Sequence, residues 1–284
     1  MTRRCSERRY FLRPSAETNG TFRYVLAVAA ERYGVLVHAY CVMSNHFHLV
    51  VTDPDARLPE FHRYLDGLVA RAMNCLLGRW EAFWGADTYS AVRLATPEAI
   101  LEKVVYTLAN PVITGLVGRG REWPGSWSAP ESIGGAVEVL ERPRHFFRAG
   151  GPLEATVKLR LCRPPAWDAD PNFAERVAAQ LRETEDRIAA ERAAARRALV
   201  GVGRILGQKT TARPAPIEPH RAMSPRVACR DRWRRMEILQ RLQDFTRDHR
   251  AALERWRAGV RDAVFPAGTW AMRVLHGAQC SPAP

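Results

Sequence analysis

Two histidines one residue apart stand in the otherwise apolar segment AYCVMSNHFHLVV, residues 39–51. Alternate side chains of a β-strand point to the same face, so His46 and His48 are expected to project together. Such a pair can supply two ligands to one metal ion. The alternative is a pair of hydrogen-bonded histidines on a half-exposed strand, because histidine is common at partly buried positions.

A tyrosine and an asparagine share one face of a candidate helix over residues 97–110. Tyr106 and Asn110 lie four residues apart, and Lys103 precedes the tyrosine by three. A tyrosine hydroxyl, with an unperturbed pKa of about 10, needs a divalent cation to attack a phosphodiester at neutral pH. Two imidazoles and the Asn110 amide oxygen suit Mn²⁺ and, less ideally, Mg²⁺. Core packing of Tyr106 and a helix end at Asn110 are the alternatives.

The composition is that of a soluble globular protein, with 284 residues, 46% of them hydrophobic and 26% charged. No apolar run reaches the length of a membrane span, and the N-terminal segment lacks the apolar stretch of a secretory signal. Six cysteines without a Cys-x-x-Cys pair argue against a zinc ribbon or a disulfide framework. We therefore expect a cytoplasmic protein with reduced cysteines and no membrane partner.

The net charge of +13 is unevenly distributed along the chain. Residues 1–150 hold 18 Lys and Arg against 15 Asp and Glu, whereas residues 151–284 hold 25 against 15. Only three of the 43 basic residues are lysines, and the arginine fork suits phosphates and guanine edges. One strongly basic half is typical of a nucleic-acid binder, although basic surfaces also occur on proteins without such a partner.

Hydrophobic periodicity predicts the element order βαββαβα in the first part of the chain. The predicted strands cover residues 10–13, 35–42, 46–52 and 83–94, and the predicted helices cover residues 21–32, 58–80 and 97–110. This order indicates an α+β, ferredoxin-like antiparallel sheet with helices, followed by a mainly helical, basic C-terminal region. The predicted division is a catalytic domain over 1–130, a basic connector over 131–170 and a helical region over 171–284.

The C-terminal region combines two long predicted helices, 171–199 and 231–262, with a proline-rich linker over 212–226. The second helix begins with a cluster of arginines and a tryptophan that can follow a DNA backbone and stack on bases. The candidate DNA contacts there are Arg232, Arg234, Arg235 and Arg241, with Trp233 between them. A solvated arginine face on a structural helix is the alternative.

Together these residues resemble a family. The segment HAYCVMSNHFHLVV resembles the His-hydrophobic-His (HUH) motif of single-tyrosine transposases, and VVYTLANPVITGLV resembles the helix end of their REP-associated branch. The resemblance covers about residues 8–130 and includes the order and spacing of the elements between the motifs. Two departures are Ser44, where the family usually has proline, and Ile113-Thr114, where it usually has Arg-Ala. Neither removes a catalytic group, but the missing arginine weakens the expectation of a DNA contact there.

The resemblance implies a role for each matching position. His46 and His48 would be metal ligands, Asn110 a third ligand on the helix, and Tyr106 the nucleophile, with Mg²⁺ or Mn²⁺ as cofactor. Attack on single-stranded or hairpin DNA would leave a 5′-phosphotyrosyl link and a free 3′-OH, which a strand transfer can reverse. Lys103 is a further candidate DNA contact beside Tyr106, and both a homodimer and a monomer remain open.

Three alternatives keep part of this interpretation. A host-retained nickase or DNA-binding regulator of chromosomal palindromes would share the fold and the site residues. Replication initiators and relaxases also combine a histidine pair with a tyrosine, but they usually place the histidines differently along the chain. A non-catalytic module that binds single-stranded RNA or DNA would need exposed aromatic residues on the sheet, for which Phe47 is the obvious candidate in the key strand.

Overall fold

The computed structural model describes residues 1–86, 89–214 and 226–282, which form a mixed α/β structure with a small antiparallel sheet and seven α-helices. The strands are β1 (Thr2–Arg4), β2 (Leu36–Met43), β3 (His46–Thr52), β4 (Arg93–Leu94), β5 (Glu138–Glu141), β6 (Thr156–Leu159) and β7 (Val227–Ala228). The helices are α1 (Ala16–Tyr33), α2 (Leu58–Leu77), α3 (Pro97–Ile113), α4 (Phe173–Ala194), α5 (Val202–Leu206), α6 (Arg232–Arg257) and α7 (Trp270–His276). Among the described residues, none of these helices has the length and apolar character needed to cross a membrane.

The histidine strand is the centre of the sheet. Three antiparallel strands lie in the order β1-β3-β2, and β2 and β3 are joined by the two-residue turn 44–45. In this hairpin, His46 lies opposite Met43. On the other side of β3, Arg4 of β1 lies opposite His46. The predicted hairpin is thus present, and the histidine strand β3 is paired with β2 on one side and β1 on the other.

The first strand lies nearer the N-terminus than the sequence predicts. Residues 10–13 contain a turn instead, and the Leu12 N–H donates to the carbonyl of Ser44 in the hairpin turn over 2.9 Å. Phe11 and Leu12 are both buried. Burial in a turn, rather than strand pairing, accounts for the apolar pattern there, and Thr2–Arg4 forms the strand.

The strand predicted over residues 83–94 is only partly present. Within it, Trp84 and Ser90 form isolated antiparallel bridges with the N-terminal segment 2–5. The regular strand is limited to β4, which pairs in parallel with β7. Residues 87–88 lie outside the described part of the chain. Pairing with the C-terminal region was not expected, because the partner strand is distant in sequence.

Helices cover both faces of the sheet. One face packs against α1 and α2 through a cluster that includes Phe22, Phe47, Leu49, Phe61 and Leu65. The opposite face packs against α3 and α4 through a cluster that includes Ala39, Val50, Val105, Leu108 and Phe173. His46 and His48 belong to the second face, because they alternate with Phe47 along β3. The tyrosine helix therefore covers the face from which the histidines project.

Helix α3 is longer than predicted. It begins at Pro97 behind the capping side chain of Thr96 and runs through Pro111 to Ile113, whereas the sequence predicted a stop at Asn110. Proline has no N–H to donate and usually interrupts a helix. Here it falls in the last turn, where the chain still closes a hydrogen bond from the Thr114 N–H to the Asn110 carbonyl over 3.0 Å.

Three elements after residue 130, the strands β5 and β6 and the helix α4, pack on the same core, whereas part of α6 and α7 form a separate cluster around Phe265. The hairpin of β5 and β6 contributes Leu140 and Val157 to the cluster under α1, and α4 shares its cluster with α3. Residues 131–170 thus contain a β-hairpin within the predicted connector. The division of the chain at residues 130 and 170 stays a prediction.

Helix α6 is the most exposed long element. Within the described residues, only Ile238 and Ala252 of this helix are buried. It begins behind Asp231, whose side chain accepts the Arg234 N–H over 2.9 Å. Most of the proline-rich linker predicted over 212–226 lies outside the described residues.

Candidate active site

The two histidines converge on the sheet face that α3 covers. Their Nε2 atoms lie 3.1 Å apart, and their ring planes are nearly perpendicular at 87°. Two nitrogen ligands about 2.1 Å from one ion and at right angles to each other lie about 3.0 Å apart. The spacing of His46 and His48 therefore matches that of two adjacent ligands in one coordination sphere, and it is also the distance of a direct hydrogen bond from one imidazole to the other.

A hydrogen bond on the far side of the His46 ring determines where its lone pair points. Asn45 Oδ1 lies 2.6 Å from Nδ1 of His46, and Asn45 Nδ2 donates to the Arg8 carbonyl over 3.0 Å. Because that carbonyl can only accept, the amide oxygen must face His46, so Nδ1 carries the proton and Nε2 the lone pair. Thr2 Oγ1 lies 2.9 Å from Nδ1 of His48 and can accept from it or donate to it, so either tautomer of His48 has a partner there.

Sequence reasoning missed these two orienting residues. Asn45 immediately precedes His46, and its position in the turn was the available signal. Thr2 reaches His48 only because β1 pairs with β3, a contact 46 residues apart that no local pattern indicates.

The environment keeps both imidazoles neutral. Burial lowers the pKa of His46 to about 3, and the positive charges of Arg4 and Arg8 act in the same direction. Burial also lowers the pKa of His48 well below its usual range, helped by the neighbouring imidazole and by cations that include Arg4 and Lys103. The neutral imidazole is the form that binds metal ions, so the pair is ready to act as ligands.

The lowered pKa of His46 has a consequence for stability. An unfolded histidine takes up a proton near its usual pKa of 6.5 but the native one only near pH 3, so the unfolded chain binds more protons between these values. The free energy of unfolding should therefore fall as the pH drops through this window, by at most about 2 kcal/mol from His46 at pH 5. Urea unfolding at pH 7 and pH 5, with metals chelated, should show a smaller loss in His46→Asn. Equal losses in both proteins would contradict the burial of this imidazole.

Tyr106 projects from α3 beside the histidine pair. Its ring meets that of His48 edge to face, with centroids 5.8 Å apart and an interplanar angle of 83°. Tyr106 is 42% exposed, which does not support the core-packing alternative. Lys103 Nζ lies 4.8 Å from the centre of the Tyr106 ring. Lys103, Tyr106 and His48 therefore form a continuous row of contacts.

Asn110 lies one turn beyond Tyr106 on α3 and is only 3% exposed. Its Oδ1 atom has no hydrogen-bond partner among the described residues, so it is not bonded to either histidine. Leaving a buried amide oxygen unpaired costs free energy, and coordination of a cation is one way to satisfy it. The structure thus brings His46, His48, Tyr106 and Lys103 into contact and leaves Asn110 buried close along the same helix.

The residues present fit a divalent cation with open coordination positions. Two imidazoles and one amide oxygen are ligands that Mn²⁺ accepts, and water or phosphate oxygens would complete the sphere. Within the described ranges, no third His, Cys, Asp or Glu joins the histidine pair. A third ligand from this part of the chain would therefore be an uncharged group such as Asn110.

The arginines predicted to contact DNA lie on α6, outside the histidine and tyrosine cluster. Three of them are exposed on its first turn: Arg232, Arg234 and Arg235. Trp233, between them, is 77% exposed. Arg241 pairs with Glu237 one turn earlier at 2.5 Å, so its charge is partly offset. The first turn therefore carries the stronger positive patch.

The start of α6 lies beside the tyrosine helix. Arg230 pairs with Glu102 of α3 at 2.5 Å, and Glu102 precedes Tyr106 by one turn. The pairing of β4 with β7 holds this segment next to the start of α3. Sequence reasoning missed Arg230, because its partner is 128 residues away in the chain. The arginine patch thus lies near the tyrosine helix rather than at a remote position.

In comparisons with known proteins, no family model matches the chain, and no curated protein or solved structure matches it either.

Proposed function

We propose that this chain is a metal-dependent single-strand DNA endonuclease and strand transferase of the REP-associated tyrosine transposase type. Single-stranded or hairpin DNA would be its substrate, and Mg²⁺ or Mn²⁺ its cofactor. One observation carries the proposal: the Nε2 atoms of His46 and His48 converge beside the ring of Tyr106, which comes from another element. Structural histidines alone would not explain an exposed tyrosine against them.

The proposed reaction forms one bond to phosphorus and breaks another. The Tyr106 oxygen attacks a phosphodiester, giving a 5′-phosphotyrosyl link, while the bond from phosphorus to the 3′ oxygen breaks. The phenol loses its proton and the departing 3′ oxygen gains one, which releases a free 3′-OH. A bound divalent cation supplies polarisation of the phosphate and offsets the charge that grows in the transition state. Because the adduct retains the phosphodiester energy, the 3′-OH of another strand can reverse the step without ATP.

A ferredoxin-like arrangement is supported by the order of segments across the sheet. The bridges at Trp84 and Ser90 extend the antiparallel pairing beyond β1, next to the regular order β1-β3-β2. Counted along the chain, the four strand segments of the βαββαβ unit are β1, β2, β3 and the segment that contains Trp84 and Ser90. Across the sheet they lie in the order fourth, first, third, second, and α1 and α2 both lie on one face. The opposite face is left for α3 and its tyrosine.

A non-catalytic single-strand binder is less well supported. Such a module needs aromatic rings exposed on the sheet, and Phe47 is fully buried under α1 and α2. A host-retained nicking protein would use the same residues and the same chemistry. Terminal palindromes flanking the gene would favour a mobile element, and scattered intergenic repeats would favour a resident enzyme.

Cleavage of labelled DNA tests the proposed function. A pool of hairpins with randomised single-stranded flanks, incubated with the protein and Mn²⁺, should give a protein–DNA adduct that survives denaturation. The released fragment should end in a 3′-OH that a polymerase can extend, and a chelator should prevent both products. Fragments with a 3′-phosphate, or cleavage without an adduct, would assign a different nuclease chemistry.

The arginine patch of α6 makes a separate prediction. If Arg232, Arg234 and Arg235 contact phosphates, glutamine at all three should reduce the slope of log K against log salt by about 2, since each single-strand phosphate contact contributes about 0.7. Glutamine at Arg250, Arg255 and Arg257, toward the other end of the same helix, removes the same charge, is the matched control and should change the slope less. Equal slopes for the first variant and the wild type would place the patch away from the DNA.

A further inference from the structure

Positive charge surrounds the histidine pair. Arg4 lies directly opposite His46 in the register of β1 and β3, so both side chains leave the same face of the sheet. Lys103 Nζ lies 4.8 Å from the centre of the Tyr106 ring on the α3 side. The positive charges of Arg4 and Lys103 both help to lower the pKa of His48.

The candidate metal ligands carry no negative charge to balance these cations. His46, His48 and Asn110 are uncharged, and no carboxylate in the described ranges joins the pair. Protein sites for Mg²⁺ normally combine one or two carboxylates with phosphates of the substrate. A divalent cation approaching this site would therefore meet repulsion from nearby positive charges and no attraction from an acidic ligand.

We propose that the divalent cation and a DNA phosphodiester bind this site cooperatively, with Arg4 and Lys103 as the groups that hold the phosphate. This inference rests on the proposed function, because it takes the histidine pair as the metal site. The phosphate offsets the repulsion between these side chains and the metal, and the metal adds its own attraction for the phosphate. By linkage, each ligand must raise the affinity of the other by the same factor.

Cooperative binding has a consequence for the control of the nucleophile. The free protein holds little metal at physiological concentrations, so the site becomes complete only when DNA is present. Tyr106 can then attack only the DNA strand whose phosphate completed the metal site. Loss of a positive side chain should weaken this control, because metal would bind the free protein more readily.

Titration of Mn²⁺, followed by its paramagnetic resonance signal, tests the inference without relying on activity. The protein is the full chain with Tyr106→Phe, which prevents turnover, and the DNA is a hairpin oligonucleotide that the wild type cleaves. DNA alone and the same protein with His48→Ala give the background to subtract. We expect DNA to tighten His48-dependent Mn²⁺ binding at least about tenfold. A methylphosphonate at the cleaved linkage, which removes its charge, should abolish most of this gain.

Charge-removing variants separate cooperative binding from a simple metal site. Arg4→Gln or Lys103→Gln should tighten Mn²⁺ binding to the free protein about threefold or more and should reduce the gain from DNA. Arg182→Gln, an exposed position on α4, is the matched control and should change neither. Equal Mn²⁺ affinity with and without DNA would overturn the inference and leave the proposed function standing. Mn²⁺ binding that never depends on His48 would overturn both.

Discussion

Replacing Tyr106 by phenylalanine is expected to abolish the covalent protein–DNA product. The substitution removes only the hydroxyl oxygen, so the edge-to-face contact with His48 and the contact with Lys103 should both remain. Folding, metal binding and DNA binding should therefore survive. We expect adduct formation to fall at least about a thousandfold, equivalent to about 4 kcal/mol of transition-state stabilisation. The rate of adduct formation on a cleavable hairpin, measured on denaturing gels, checks this.

Another tyrosine provides the matched control for this prediction. Tyr89 stacks on His62 with ring centroids 3.8 Å apart, and His62 lies on α2, which covers the opposite face of the sheet. Tyr89→Phe should leave adduct formation unchanged apart from any loss of stability. An adduct that persists in Tyr106→Phe and disappears in Tyr89→Phe would contradict the assignment of the nucleophile.

Removing either imidazole is expected to eliminate metal-dependent cleavage. His46→Ala or His48→Ala deletes a metal ligand. Loss of an outer-sphere partner typically lowers metal affinity about 10- to 100-fold, and loss of a ligand should lower it by more. Asn45→Ala, which removes the partner of His46 Nδ1, should fall within that smaller range. Both rings are surrounded closely enough to lower their pKa values, but each residue keeps some exposed surface and neither belongs to a hydrophobic core cluster, so both alanine variants should still fold. Mn²⁺ titration in the presence of DNA, together with urea unfolding, measures the two effects separately.

A third histidine on the same hairpin is a useful control. The ring nitrogens of His38 lie 2.8 Å from the Cys162 carbonyl and 2.8 Å from the Thr52 hydroxyl, so both are already paired. His38→Ala should lower stability without lowering metal affinity. If His46→Ala instead lowers stability as much as His38→Ala does and leaves metal affinity unchanged, the pair is structural and the metal site is wrong.

Local patterns were enough to predict the elements that carry the candidate site. The alternation in residues 46–52 predicted a strand with both histidines on one face, and the helical spacing before Pro111 predicted the position of Tyr106. Both predictions depend on periodicities that neighbouring residues determine. The extension of α3 beyond Asn110 was missed because proline, which lacks the N–H for a bond to the carbonyl four residues earlier, usually ends a helix, whereas residues 111–113 here remain helical.

The contacts that the sequence could not predict arise from strand pairing between segments far apart in the chain. Thr2 and Arg4 flank the histidines because β1 pairs with β3, whereas the apolar residues 10–13 suggested a strand at the wrong place. Arg230 reaches Glu102 because β7 pairs with β4, although the two segments are far apart in the chain. Such contacts depend on how the elements pack, and periodicity within a single segment carries no information about them.

The assignment of Tyr106 as nucleophile is tested by locating the DNA on the protein. Trypsin should release residues 104–119 as one peptide, and Tyr106 is the only tyrosine in it. After nuclease digestion of a purified adduct, mass spectrometry should find a nucleotide phosphate on Tyr106 of this peptide. The nucleotide should be absent from the peptides that contain Tyr64 and Tyr89. DNA attached to either of those tyrosines, with residues 104–119 unmodified, would contradict the account.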